Sequence, residues 1–186
     1  HVDVGNTTAC TVTGLGLGAY YFAVTAYSYT GLESGYSNEV TTTVKSQISL
    51  SDFDGDGKTD TAVWRPSTGV WYDLPSSTPG KFISTQWGAS TDVPVPGDYD
   101  GDGKTDIAVW RPGTGIWYVL PSKAPGTFAW AQWGVSTDVP VPGDYDGDGK
   151  TDIAVWRPST GTWYVLPIGS PEMSAWKQWG GSADIP

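Results

Sequence analysis

Hydrophobic positions in this chain form short runs of β-branched and aromatic residues that Pro and Gly interrupt. The run IAVWRP at 107–112 is followed by a Gly-Thr-Gly turn and then by WYVLP at 117–121. Two such runs around a short glycine-containing turn are typical of a β-hairpin. No stretch of ten residues shows the spacing of an amphipathic helix. The pattern therefore predicts an all-β chain.

The same pattern occurs three times. The string DFDGDGKTDTAVWRPSTGVWYDLP begins at Asp52, and near-copies begin at Asp98 and Asp144, so each step is 46 residues (98 − 52 and 144 − 98). A unit of this length with about four strands has the size of a propeller blade. We predict three tandem four-stranded propeller-like blades. Their approximate bounds are residues 46–91, 92–137 and 138–186.

Residues 1–45 lack this repeat and are rich in Thr, Tyr and Gly. The segments CTVTGL, YYFAVTAY and SNEVTTTV predict three antiparallel strands, with the turn GLESG between the last two. Alternation in the middle segment predicts a core-facing side made of Tyr20, Phe22, Val24 and Ala26. Cys10 would lie in the first strand as a small buried residue. We expect a separate partial β-sandwich at 1–45.

Composition excludes several classes of function. The chain has 20 acidic and 10 basic residues, whereas nucleic acid binding requires clustered Lys and Arg. With Cys10 as the only cysteine and His1 as the only histidine, a disulfide framework, a zinc cluster and a catalytic triad are not expected. No apolar run is long enough for a transmembrane helix, so no membrane insertion is expected. Because the chain begins at His1, we expect a processed chain or a piece of a longer one.

The motif D-x-D-G-D-G-K-T-D carries the strongest chemical signal. A calcium loop takes oxygen ligands from alternate positions and places Gly at position 6, where the chain turns sharply, as Gly57 would here. This motif offers carboxylates at positions 1, 3, 5 and 9 and the backbone carbonyl of a lysine at position 7. The candidate ligands are Asp52, Asp54, Asp56, Lys58 and Asp60 in the first copy, Asp98, Asp100, Asp102, Lys104 and Asp106 in the second, and Asp144, Asp146, Asp148, Lys150 and Asp152 in the third.

These loops differ from EF-hands, which need a bidentate Glu at position 12, because that position is Val63 in the first copy. An ion-free acidic turn is the alternative, since Asp and Gly are common in turns. However, two carboxylates about 5 Å apart repel each other by roughly 3 kcal/mol at an effective dielectric constant of about 20. Four converging carboxylates would therefore open the loop without a cation. We expect three structural Ca²⁺ ions, one per repeat.

The motif DxDGDGxTDxAVWRP resembles the FG-GAP/VCBS repeats of the integrin-α propeller and of many secreted bacterial proteins. The resemblance covers about residues 47–186. It implies four-stranded blades, one Ca²⁺ loop per blade, and an extracellular adhesive or scaffolding role. Residues 1–45 are similar to the C-terminal half of a fibronectin type III domain on TVTGL, YYFAVTAY and GLESGYSNEV, and Tyr20 would match its tyrosine-corner position.

The recurrent Trp and Arg residues have two interpretations each. The Trp residues can fill the space between blades or form a ligand platform, and Trp130 and Trp176 are the better platform candidates because they lie outside the repeated set. The arginine that follows a strand Trp, such as Arg65, can bind an anionic partner or pair with a neighbouring Asp or aromatic ring. Asp73 and Glu172 do not repeat and form no motif of paired catalytic carboxylates. We therefore do not expect an enzyme.

Three blades leave sheet surface uncovered, and a propeller ring needs at least four. Exposed edges and faces favour association with further strands. We therefore expect a non-catalytic, calcium-stabilised structural protein, secreted or on the cell surface, that self-associates into a filament or tube. One alternative is a carbohydrate-binding or adhesion module of a larger secreted propeller protein, whose partners would be carbohydrate or other surface proteins. Another is an accessory domain of a secreted hydrolase.

Overall fold

The computed structural model describes residues 5, 7, 11–12, 18–44, 51–170 and 174–186. It divides the chain into two compact units, His1–Gln47 and Ile48–Pro186. All regular secondary structure in the described residues is β, as the sequence predicted, and every paired strand is antiparallel. None of the described segments forms a helix that could cross a membrane.

The described part of the first unit contains one antiparallel pair, β1 (Gly18–Phe22) and β2 (Val40–Val44). An irregular hairpin connects them, and serine hydroxyls take part in its pairing: the amides of Ala26 and Val24 donate to the side chains of Ser34 and Ser37 at 2.9 and 3.1 Å. The predicted strand YYFAVTAY therefore ends early, at Phe22.

The predicted core face of the first unit is wrong for Val24 and Ala26, which are exposed. Tyr20 and Phe22 are only partly buried. The physical reason is that a two-stranded sheet has two open faces, and no second layer covers them in the described part of this unit. Cys10 and most of the predicted strand CTVTGL lie outside the described residues.

The described residues of the second unit form three sheets in which consecutive strands are neighbours. The first sheet comprises β3 (Thr61–Arg65), β4 (Val70–Leu74) and β5 (Ile83–Gln86). The second comprises β6 (Val93–Pro94), β7 (Ile107–Arg111), β8 (Ile116–Leu120) and β9 (Ala129–Gln132). The third comprises β10 (Val139–Pro140), β11 (Ile153–Arg157), β12 (Thr162–Leu166) and β13 (Ala175–Gln178). The strand of the first repeat that corresponds to β6 would lie at residues 47–48, which are outside the described residues.

The three sheets share one register. In each predicted hairpin two tryptophans lie opposite each other across the central strands: Trp64 and Trp71, Trp110 and Trp117, Trp156 and Trp163. The hairpin turn of the first sheet ends at Gly69, which has a φ of +66°. A Cβ there would lie 2.4 Å from the carbonyl oxygen of Gly88, so only glycine fits. The predicted hairpins are confirmed.

The main hydrophobic core contains residues of the second and third sheets. Its buried members are Val95, Tyr99, Ala108, Trp110, Trp117, Val119, Ile153 and Val155. The indole nitrogens of Trp110 and Trp117 both donate to the carbonyl of Trp133, at 3.2 and 3.0 Å. The core-packing interpretation is therefore confirmed for Trp71, Trp110, Trp117 and Trp156, which are buried, whereas Trp64 and Trp163 are partly buried.

Candidate metal sites

Each acidic loop is shaped by two glycines with positive φ. In the first loop Gly55 and Gly57 have φ values of +80° and +85°, a region that other residues rarely enter. This backbone directs successive amides toward one carboxylate, because the amides of Gly55 and Gly57 donate to Asp52 at 2.7 and 2.8 Å. Asp98 accepts the matching bonds in the second loop. The sharp turn predicted at Gly57 is confirmed.

Three carboxylates converge in every loop. One ligand atom from each lies within 4.8 Å of the others in the groups Asp52, Asp54 and Asp60; Asp98, Asp100 and Asp106; and Asp144, Asp146 and Asp152. Ca²⁺ binds oxygen ligands at about 2.3–2.6 Å, so oxygens this close together can contact one such ion. The donors are all hard oxygens. The residues present therefore fit a divalent cation such as Ca²⁺.

The carboxylates at position 5 are not members of these groups. Asp56 instead accepts hydrogen bonds from the amide of Lys58 at 2.8 Å and from the hydroxyl of Ser76 at 2.8 Å. Its carboxylate also lies 3.7 Å from the Nζ of Lys58. Ligation by Asp56, Asp102 and Asp148, and by the carbonyls of Lys58, Lys104 and Lys150, stays a prediction.

The position-9 carboxylate fixes each loop to the end of the following hairpin. The side chain of Asp106 is buried, and it accepts bonds from the amides of Tyr99 at 2.9 Å and Ser122 at 2.7 Å. Burial raises the pKa of Asp106 to about 6, and burial also raises the pKa values of Asp98 and Asp152. A bound cation would offset the cost of these buried anions.

Sequence analysis missed the serines that orient the other carboxylates. The hydroxyl of Ser77 donates to Asp54 at 2.6 Å and is the main cause that lowers the pKa of Asp54. In the third repeat Ile168 stands where Ser76 and Ser122 occur, so only its amide remains to donate, to Asp152 at 2.9 Å. The available signal was the Leu-Pro-Ser that follows the second strand in the first two copies.

The candidate platform residues Trp130 and Trp176 lie on β9 and β13, in separate sheets, and both rings are exposed. Each lies opposite a tyrosine of the neighbouring strand, Tyr118 and Tyr164 respectively. The structure therefore places them at equivalent positions of two repeats and does not bring them into one sheet.

The arginines of the second and third repeats form ion pairs within their own repeats. Arg111 binds Asp92 through two bonds of 2.8 and 2.9 Å, and Arg157 binds Asp138 with the same geometry. Arg157 also lies over the ring of Tyr164, 4.5 Å from its centroid. The structural interpretation of these two arginines is confirmed.

Together, the shared register and the acidic loops define an array of antiparallel β-sheet repeats with a candidate cation site in each. The sequence model of the FG-GAP-like repeat family matches residues 52–109 and 98–155. Together these two matches cover residues 52–155, more than half of the chain. The chain belongs to this family, whose repeats are typically structural, are typical of extracellular proteins and often bind calcium. No curated protein and no solved structure matches the chain.

Proposed function

We propose that this chain is a non-catalytic, calcium-stabilised extracellular structural protein whose copies associate end to end. Its repeats would be propeller-type blades, and its first unit would be part of a fibronectin type III-like sandwich. In each loop the three grouped aspartates would hold one Ca²⁺, which would supply the positive charge that their buried carboxylates need.

The contact between consecutive sheets supports the end-to-end part of this proposal. The indole nitrogen of Trp87 donates to the carbonyl of Tyr118 in the next sheet at 3.2 Å. The amide of Thr105 donates to the carbonyl of Asp52 at 2.7 Å. The corresponding bonds recur one repeat later, from Trp133 to Tyr164 and from Thr151 to Asp98. One docking geometry therefore occurs twice within the unit.

The two halves of this contact are exposed at opposite ends of the described repeats. Val63 of β3 is 58% exposed, whereas its counterparts in the second and third sheets are 1% exposed. Trp179 is 75% exposed, whereas Trp87 and Trp133 are partly buried. We call the surface around Val63 the receiving face and the surface around Trp179 the donating face.

Charged residues of the contact are likewise exposed at the two ends of the array. The side chains of Lys104 and Lys150 lie against Gly55 and Gly101 of the preceding loops, at 2.9 and 3.0 Å from where a Cβ would be. In the third loop no described residue lies within 4 Å of that position at Gly147, and Lys58 at the receiving face is exposed. The exposed lysine at one end and the exposed acidic loop at the other are complementary in charge. The occupant that fits each face best is thus the other face of a second copy.

A contact between two different faces propagates, so repeated use gives a fibre or a closed ring. Sedimentation velocity and electron microscopy with Ca²⁺ should show concentration-dependent oligomers of the full chain. Val63→Glu or Trp179→Ser should weaken association at least tenfold. Mixing these two variants should restore dimers, because each keeps the face that the other has lost.

Trp176→Ser is the matched control. Trp176 is as exposed as Trp179, at 72%, but its counterpart Trp130 stays exposed beside a docked sheet. This variant should associate like the unmodified chain. A monomer at every concentration, or undiminished association of Trp179→Ser, would contradict the proposal. Assemblies that persist after chelation would contradict the stabilising role of calcium but not the association.

A second candidate function is carbohydrate binding through Trp130 and Trp176. It is favoured by one observation: the same β position presents an exposed indole in two consecutive repeats, while the first repeat has Ser84 there. Exposed aromatic faces stack on sugar rings. Retardation in affinity electrophoresis through soluble polysaccharides, abolished in the double Trp→Ala variant, would support it, and equal mobility of both proteins would contradict it.

A further inference from the structure

A cavity of about 340 Å³ lies among residues of the first and second sheets and the loops that follow them. Its volume is in the range of small-molecule sites, which are typically apolar with a few polar groups. The walls include aromatic and aliphatic side chains and a single ionisable one. The lining includes Phe53, Trp71, Asp73, Ile83, Leu120 and Ser122.

Asp73 is the unexpected member of this lining. It lies in β4 between Ala62 and Ile83 of the flanking strands and is 9% exposed. Its Oδ1 atom is buried and accepts no hydrogen bond from any described residue. A buried carboxylate oxygen without a donor is rare in folded proteins because it loses its hydration and gains nothing in return.

The next interface shows that the fold does not need this carboxylate. The residue equivalent to Asp73 in the second repeat is Val119, and Ile168 of the third repeat stands where Ser122 lies at the cavity. Both belong to or pack against the apolar core cluster. The same register therefore gives a packed interface between the second and third sheets, but leaves a cavity with a carboxylate between the first and second.

We propose that this cavity binds a small organic ammonium ion with an apolar body, and that the ammonium group pairs with the carboxylate of Asp73. None of the lining residues is basic, so no internal cation competes for the carboxylate. The aromatic walls, with Phe53 and Trp71 ring centroids 6.3 Å apart, suit an apolar body and attract cations to their faces. This site does not depend on calcium-linked self-association.

The electrostatic surroundings favour a cation over a neutral ligand. Burial is the largest cause of the rise in the pKa of Asp73 to about 6. At neutral pH Asp73 is therefore largely ionised but poorly solvated. A neutral alcohol could donate one hydrogen bond but would leave this charge uncompensated.

Isothermal titration of the full chain in saturating Ca²⁺ tests the proposal with phenethylamine, 2-phenylethanol and 3-phenylpropionate. These three probes share the apolar body and differ in charge. Phenethylamine should bind with a dissociation constant of about a millimolar or tighter and at least tenfold more tightly than the alcohol, and the carboxylate should not bind. Nα-acetyl-lysinamide should bind more weakly, whereas tighter binding would assign the site to a lysine of a peptide partner and contradict a free amine.

Two variants locate the binding. Asp73→Asn keeps the shape of the side chain and removes the charge, so phenethylamine affinity should fall at least tenfold. Ser122→Ile places in the cavity the residue that the third repeat has, and it should abolish binding by filling the space. Equal binding of amine and alcohol, unchanged affinity in Asp73→Asn, or no binding by the unmodified chain would each overturn the proposal.

Discussion

Replacing Asp73 with valine should stabilise the second unit, although it removes a polar residue from the interface of two sheets. The substitution gives the first repeat the residue found at the equivalent positions of the other two, Val119 and Val165. It also removes the carboxylate oxygen that lacks a hydrogen-bond donor. The expected gain in the free energy of unfolding comes from removing a charge that the folded state solvates poorly.

The pKa of Asp73 sets the size and the pH dependence of this gain. Its value rises from 3.8 to about 6 in the folded chain, mainly through burial. A raised folded pKa means that the group costs almost nothing below about pH 3, where both states are protonated, and costs most above pH 6. A shift of about two units corresponds to about 3 kcal/mol at pH 7.5 and to about half of that at pH 5.

Urea and thermal unfolding of the full chain, followed by circular dichroism at pH 7.5 and pH 5, measure this difference. For a unit of this size, about 3 kcal/mol corresponds to a rise in melting temperature of roughly 6–12 °C. Asp73→Asn separates the loss of charge from the gain of an apolar side chain. Val119→Asp is the reverse control and should destabilise the packed second interface.

The reasoning would be refuted if Asp73→Val lowered the melting temperature at pH 7.5. It would also be refuted if the difference from the unmodified chain were the same at both pH values, because then ionisation would not be the cause.

Three further predictions concern the ion pairs and the loops. Arg157→Met should destabilise the second unit by about 3–5 kcal/mol in urea unfolding because it leaves the buried Asp138 unpaired. The guanidinium of Arg65 contacts only a tyrosine in the described structure, so Arg65→Met should cost less than about 1 kcal/mol. Equal costs for the two variants would contradict this assignment. Gly57→Ala should lower the free energy of unfolding by about 1–2 kcal/mol because the φ of Gly57 is +85°. Gly113→Ala, at an open position without positive φ, should be near neutral. A neutral effect of Gly57→Ala would contradict the loop geometry. Asp106→Asn should reduce the Ca²⁺ bound per chain from three to two in native mass spectrometry, and an unchanged count would exclude it as a required ligand.

The repeat unit was predictable because its signals are local. Hairpin bounds follow from Pro and Gly at the ends of apolar runs, and the acidic loops follow from the spacing of Asp52, Asp54 and Asp60. The same approach failed for Val24 and Ala26. Their alternation with polar residues predicts a buried face, but burial requires a second layer that local sequence cannot supply.

Side-chain groups that form between distant segments were not predictable in this way. The serine hydroxyls that orient Asp54 and Asp56 come from 20 or more positions further along the chain. Asp56 was expected among the ligands by its spacing; it accepts hydrogen bonds from the hydroxyl of Ser76 and the amide of Lys58, and its ligation stays a prediction.

Comparison of the two sheet interfaces separates what the scaffold requires from what one repeat adds. The indole-to-carbonyl bond of Trp87 and the amide bond of Thr105 recur one repeat later, so they belong to the docking of any two repeats. Asp73 does not recur, and the second interface packs well with valine in its place. Asp73 lowers the stability of the fold and is not needed to form it, so its presence at this position needs another explanation. A ligand that pairs with the carboxylate would supply one, because the cost is then recovered only when the cavity is filled.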